Sequence, residues 1–136
     1  MKTKLNAFTL LEMIFAIVVI SVLASFAIPK FFNTTSDAKV STLQRDITTV
    51  ITSVQSYYLI NMKIDKFSDA VNLNSKNWEI RDKTIIYKEN EKNCVKLEIT
   101  SNNLKDKIVL SVDSSVGNVC KKLSDNGIIS VEYNLN

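Results

Sequence analysis

From Phe8 to Ile28 the chain is apolar at almost every position, with Glu12 as its one charged side chain. A helix over that run rises about 1.5 Å per residue and reaches roughly 30 Å, the thickness of a bilayer's hydrocarbon core. Pro29 closes the run. It has no amide proton, so a continuous helix would leave the Ser25 carbonyl unpaired, which predicts a kink or local unwinding from Ser25 to Lys30. Weak helix formers follow in Asn33-Thr34-Thr35-Ser36, and the alternative is a helix that ends here and restarts at a Ser36 or Asp37 cap. Beyond Ala38 the apolar positions recur at spacings of three and four: Val40, Leu43, Ile47, Val50, Ile51, Val54 and Tyr58. That stripe predicts an amphipathic helix over about 37–61, its apolar face available to a sheet.

The stretch 62–76 has no sustained period and many turn formers, so it reads as a surface connection held down by Phe67, Val71 and Leu73. After it the period changes to two. Trp78 and Ile80, Ile85 and Tyr87, Val95, Leu97 and Ile99, then Ile108, Leu110 and Val112, and finally Ile129, Val131, Tyr133 and Leu135 alternate with polar residues. Turn-forming clusters at 90–93, 101–103 and 125–127 separate these runs. The pattern predicts an antiparallel meander over 77–136 with one face on the helix, and a long helix followed by strands is an α+β chain.

Composition changes this picture in three places. The chain has 136 residues and a formal charge of +3. Setting aside Lys2, Lys4, Lys30 and Glu12 leaves 14 basic and 13 acidic residues, a net +1 that gives no broad basic face for nucleic acid. There is no His, which removes imidazole acid–base and metal chemistry. Two cysteines, Cys94 and Cys120, lie beyond the apolar run. In an exported domain an even count favours a disulfide over two buried free thiols.

Other chemistry is sparse. With only Gly117 and Gly127 the chain holds no glycine-rich phosphate loop, and neither cysteine belongs to a CxxC pair. The stretches 113–118 and 124–127 lack the acid spacing of a calcium loop and read as turns. Asn33-Thr34-Thr35 matches a glycosylation tripeptide, a pattern chance supplies readily. No catalytic residue, metal site or cofactor is expected.

The amino terminus carries the most specific signal. A polar leader, MKTKLNA, with Lys2 and Lys4, ends on the small residue Ala7, and Phe8-Thr9-Leu10-Leu11-Glu12 opens the apolar run. Ser25-Phe26-Ala27 could serve as an ordinary signal-peptide site, but the apolar core is longer than such a peptide needs and contains Glu12. Ala7 to Glu12 resembles the processing motif of type IV pilins and type II secretion pseudopilins. In that family a basic leader is cut off before a Phe, and the fifth mature residue is Glu; a proline often stands where Pro29 does. This chain departs from the family pattern in having Ala7 where Gly is usual.

The resemblance implies a pilin-like α+β fold, with residues 1–7 as leader, 8–29 as membrane helix and 30–136 as head. It implies a filament subunit cleaved between Ala7 and Phe8 by a prepilin peptidase and methylated on the Phe8 amine. Phe8 and Glu12 would serve assembly with other pilins, driven by an inner-membrane platform and its ATPase. The lysine-flanked span would keep the N-terminus in the cytoplasm and place the head across the inner membrane. Rival readings are a minor subunit whose head binds DNA or a secreted substrate, and a secreted or anchored domain of unrelated function.

Overall fold

The computed structural model describes residues 8–102 and 105–135. Helix α1 runs from Leu10 to Asn61. A 3-10 turn follows at Phe67–Asp69, then strands β1 (Glu79–Arg81), β2 (Thr84–Glu89), β3 (Lys92–Asn102) and β4 (Lys105–Val112), helix α2 (Asn118–Asp125) and strand β5 (Val131–Asn134). Contacts divide the chain into two compact units, 1–35 and 36–136.

In the first unit α1 passes through Pro29 as unbroken helix, in place of the local unwinding expected there and of a restart at Ser36 or Asp37. Proline removes one hydrogen bond from the ladder, and hydroxyls help hold the turns around it. Ser25 Oγ donates to the Val22 carbonyl at 2.7 Å, and Thr34 Oγ1 to the Lys30 carbonyl at 2.9 Å. Such bonds tie a Ser or Thr to its own helix instead of letting it compete with the ladder.

The second unit is built on the periodic stripe. Val40, Leu43, Ile47, Val50, Ile51, Val54 and Tyr58 are all buried, in one cluster with Ile85, Val95, Leu97, Ile99, Ile108 and Leu110 of the sheet. The strands lie in the order β1-β2-β3-β4-β5, each antiparallel to the next, which is the expected meander. Asn90 and Glu91, both with positive φ (52° and 63°), make the two-residue turn between β2 and β3. Two left-handed residues match the twist of a tight hairpin. Phe67 is fully buried, and Val71 and Leu73 pack partly against the core. Trp78, 2 % exposed, donates from Nε1 to Asp46 Oδ2 at 2.8 Å and meets Tyr87 edge-on at 5.9 Å.

The sheet expected over 77–136 is interrupted by α2, which covers part of what the sequence suggests is turn and strand. Val119, Cys120 and Leu123 are its buried residues. A single buried flank over two turns is too short to reveal a helical period. The alternation at the C-terminus also changes meaning: Leu135 is buried and Tyr133 half-buried, but Ile129 and Val131 are exposed. Among the described residues β5 is an edge strand, paired with β4 alone.

Two tyrosines contribute to the alkaline behaviour of this unit. Burial, then the Asp106 carboxylate beside it, pushes the Tyr58 phenol above its ordinary 10.0. Burial, with Glu89 adding to it, does the same for Tyr87. A phenol whose pKa is higher folded than unfolded contributes stability in full below pH 10.0, and that contribution fades as pH climbs through the folded value. The melting temperature is therefore expected to fall above pH 10.0, and Tyr58→Phe to flatten that decline. Calorimetry of the protein in uncharged micelles from pH 8 to 11 measures both; identical alkaline limbs for the two proteins would remove Tyr58 from the account.

Candidate functional site

The candidate site begins at the first turn of α1. Thr9 stands just before the helix, and its carbonyl accepts from the Glu12 and Met13 amides at 3.1 and 3.2 Å. Its hydroxyl accepts from the Glu12 amide at 3.3 Å. Thr9 is thus the N-cap and Glu12 the third helical residue, half of a capping box. The spacing Thr9-Leu10-Leu11-Glu12 shows this in the sequence itself, a signal the periodicity argument passed over. An acid in the first turn also faces the positive end of the helix dipole.

Apart from Thr9, the described residues around Glu12 are apolar. Leu11, Ile14, Phe15 and Val18 flank it with Thr9 along one groove of the helix. Its carboxylate has no hydrogen-bond or ion-pair partner among the described residues. Phe8, Leu10 and Leu11 are exposed. From Leu10 to Ile28 the helix has a mean hydropathy of 2.6 and no part of it is buried, so its apolar surface is complete enough to cross a bilayer. Ala7 and the rest of the leader, 1–7, lie outside the described residues.

The predicted cysteine pair is joined: Cys94 and Cys120 form a disulfide, with Cα atoms 5.7 Å apart. A β-bulge makes this possible. Tyr87 pairs with Val95 and Lys88 with Asn93, so Cys94 is the extra residue on β3. A bulge turns its extra side chain out of the alternation, and here Cys94 is buried beside α2 although Val95 already faces the core.

Glu89, unremarkable in the sequence, completes the arrangement. Its Oε1 accepts from the Val119 amide at 3.1 Å and its Oε2 from the Cys120 amide at 3.0 Å. These are the open donors of α2's first turn, and the N-cap, Gly117, has no side chain to take them. Gly117 leaves room for this cap: a Cβ there would displace the Glu89 carboxylate. Because the cap comes from β2, no local signal announces α2. Glu89, Cys94 and Cys120 place potential ligand atoms within 4.8 Å of one another. With the two sulfurs bonded to each other, however, they offer no thiolate to a metal.

Residues 3–28 match the family model described as the prokaryotic N-terminal methylation motif. No curated protein and no solved structure matches the chain. The motif spans the Ala7–Phe8 junction, Glu12 and the apolar helix, and behind it stands an α+β head with a helix against an antiparallel sheet. The chain carries the prepilin-type processing and methylation motif of type IV pilins and pseudopilins.

Proposed function

We propose that this protein is a structural, non-catalytic subunit of a type IV pilus-like or type II secretion pseudopilus filament. Prepilin peptidase cuts it between Ala7 and Phe8 and the new Phe8 amine is methylated. Leu10–Ile28 holds it in the inner membrane, with Lys2 and Lys4 retaining the leader in the cytoplasm and the head on the far side. An assembly platform and its ATPase then draw it into a filament with other pilins. The observation that carries this reading is the coincidence of the methylation motif with a bare apolar helix. A subunit that moves from lipid into a bundle of like helices needs that surface uncovered.

Processing tests it directly. Mass spectrometry of protein purified from membranes is expected to find a mature chain beginning at N-methylated Phe8, seven residues shorter than the sequence. A mature terminus at Ile28 would establish ordinary secretion instead, and an intact Met1 would remove prepilin processing altogether.

A further inference from the structure

The head has a cleft of about 390 Å³ between the start of its helical stripe, the loop before β1 and the end of β2. Lysines line it from all three elements: Lys39 from α1, Lys76 from the loop and Lys88 from β2. Asn77 and Thr42 add polar atoms to the rim, and Leu43 and the half-buried ring of Tyr87 supply apolar wall. Lys76, Asn77 and Lys88 also line an adjoining depression against Trp78 and Glu79.

What distinguishes this cleft from a solvated lysine rim is the state of the acids around it. On α1, Asp37 pairs with Lys122 at 2.6 Å and Asp46 accepts from Trp78. On β1, Glu79 is held by Lys88 at 2.7 Å and by Arg81, which together lower its pKa. On β2, Glu89 caps α2. Each of these carboxylates is committed, whereas Lys39 and Lys76 make no ion pair among the described residues. Two lysines that line one concavity are thus left without a counter-ion among the described residues.

We propose that this cleft binds a phosphate monoester. Such a group carries about −1.5 to −2 at neutral pH, which balances Lys39 and Lys76 together, whereas a carboxylate balances only one. Compact ammonium charges serve phosphate as point donors. The remaining volume along Leu43 and Tyr87 accepts the apolar or ring portion of the molecule that bears the phosphate. Three lysines around one compact cleft do not form the extended track that a nucleic-acid backbone follows.

Acylation of lysines by an N-hydroxysuccinimide ester, read by mass spectrometry on the full chain in uncharged micelles, tests the site. With a dissociation constant of about 1 mM, glycerol 3-phosphate at about 10 mM is expected to slow Lys39 and Lys76 about tenfold. Lys88 slows with them, while Lys63 and Lys121 keep their rates. The same protection seen only when phosphatidate is mixed into the micelle assigns the phosphate to a lipid headgroup; protection by the soluble ester assigns it to a free one. Either result supports the cleft. In Lys39→Gln/Lys76→Gln, two exposed changes that leave the core untouched, the protection of Lys88 is expected to vanish. The proposal is overturned if acetate or chloride at equal ionic strength protects as well, if all lysines slow together, or if neither phosphate protects.

Discussion

Glu12→Ala and Glu12→Gln are expected to leave expression, membrane insertion and leader cleavage intact and to exclude the protein from filaments. On the proposed function, cleavage before Phe8 would create an amine four residues from Glu12, with both groups at the edge of the bilayer. Within one chain the carboxylate already faces the positive end of its own helix, and Thr9, not Glu12, takes up the open amide of the first turn. The Glu12 carboxylate is therefore free to meet a charge from outside. In the proposed filament a neighbouring subunit's Phe8 amine would be such a charge, and pairing would take two costly groups out of lipid together.

The pair need not add much net stability to govern assembly. Leaving one charged partner alone in the apolar region costs at most about 2.5–3.5 kcal/mol, the insertion-scale figure for the bilayer centre, which sets an upper bound of roughly a hundredfold on the loss of incorporation. The penalty selects the stagger in which amine and carboxylate coincide. Gln keeps the size and a carbonyl acceptor but not the charge, so equal failure of both variants identifies charge as the requirement. Thr9→Ala weakens only the cap and is expected to assemble nearly as the wild type does. The assay is co-expression with wild-type subunit and quantitation in sheared or cross-linked filament fractions. Normal incorporation of both Glu12 variants would reduce Glu12 to an interfacial acid.

Much of this architecture was legible from spacing alone, because burial imposes its period on long elements. The seven stripe residues from Val40 to Tyr58 are all core residues, and the meander follows the alternating runs. Long-range features were not legible. α2 depends on a carboxylate from β2 for its cap and on a disulfide to β3, so nothing within 118–125 marks a helix. Trp78 finds its partner in Asp46, on a different element. At Pro29 one missing hydrogen bond did not end the helix, which continues on either side. Glu12 was legible as a site because a lone acid in an apolar run is costly in lipid and calls for a partner. The lysine cleft was not, since Lys39, Lys76 and Lys88 are brought together only by folding.

Loss of the Cys94–Cys120 bond is expected to have the largest effect on the head. The bond closes a loop of 26 residues. On the chain-entropy account that restricts the unfolded chain by roughly 3.5 kcal/mol, a large share of the 5–10 kcal/mol typical of so small a domain. Its position adds to the effect. Both cysteines are buried, and with Glu89 they are the groups that hold α2 to the sheet, so opening the bond leaves the helix to its cap and to the packing of Val119 and Leu123. For Cys94→Ala/Cys120→Ala the melting temperature is expected to drop by roughly 15–25 °C. Glu89→Gln, which keeps the shape but weakens the charge-assisted cap, is expected to cost about 1 kcal/mol, several degrees. Trp78 is the chain's only tryptophan and sits in the core, so its fluorescence reports head unfolding without interference from the membrane helix. Equal melting of the wild type and the double alanine variant would show that the bond restrains nothing. If Glu89→Gln lowers the melting temperature of the wild type but not of the double variant, then α2 detaches once the bond is gone, and the disulfide and the cap act on one helix as a unit.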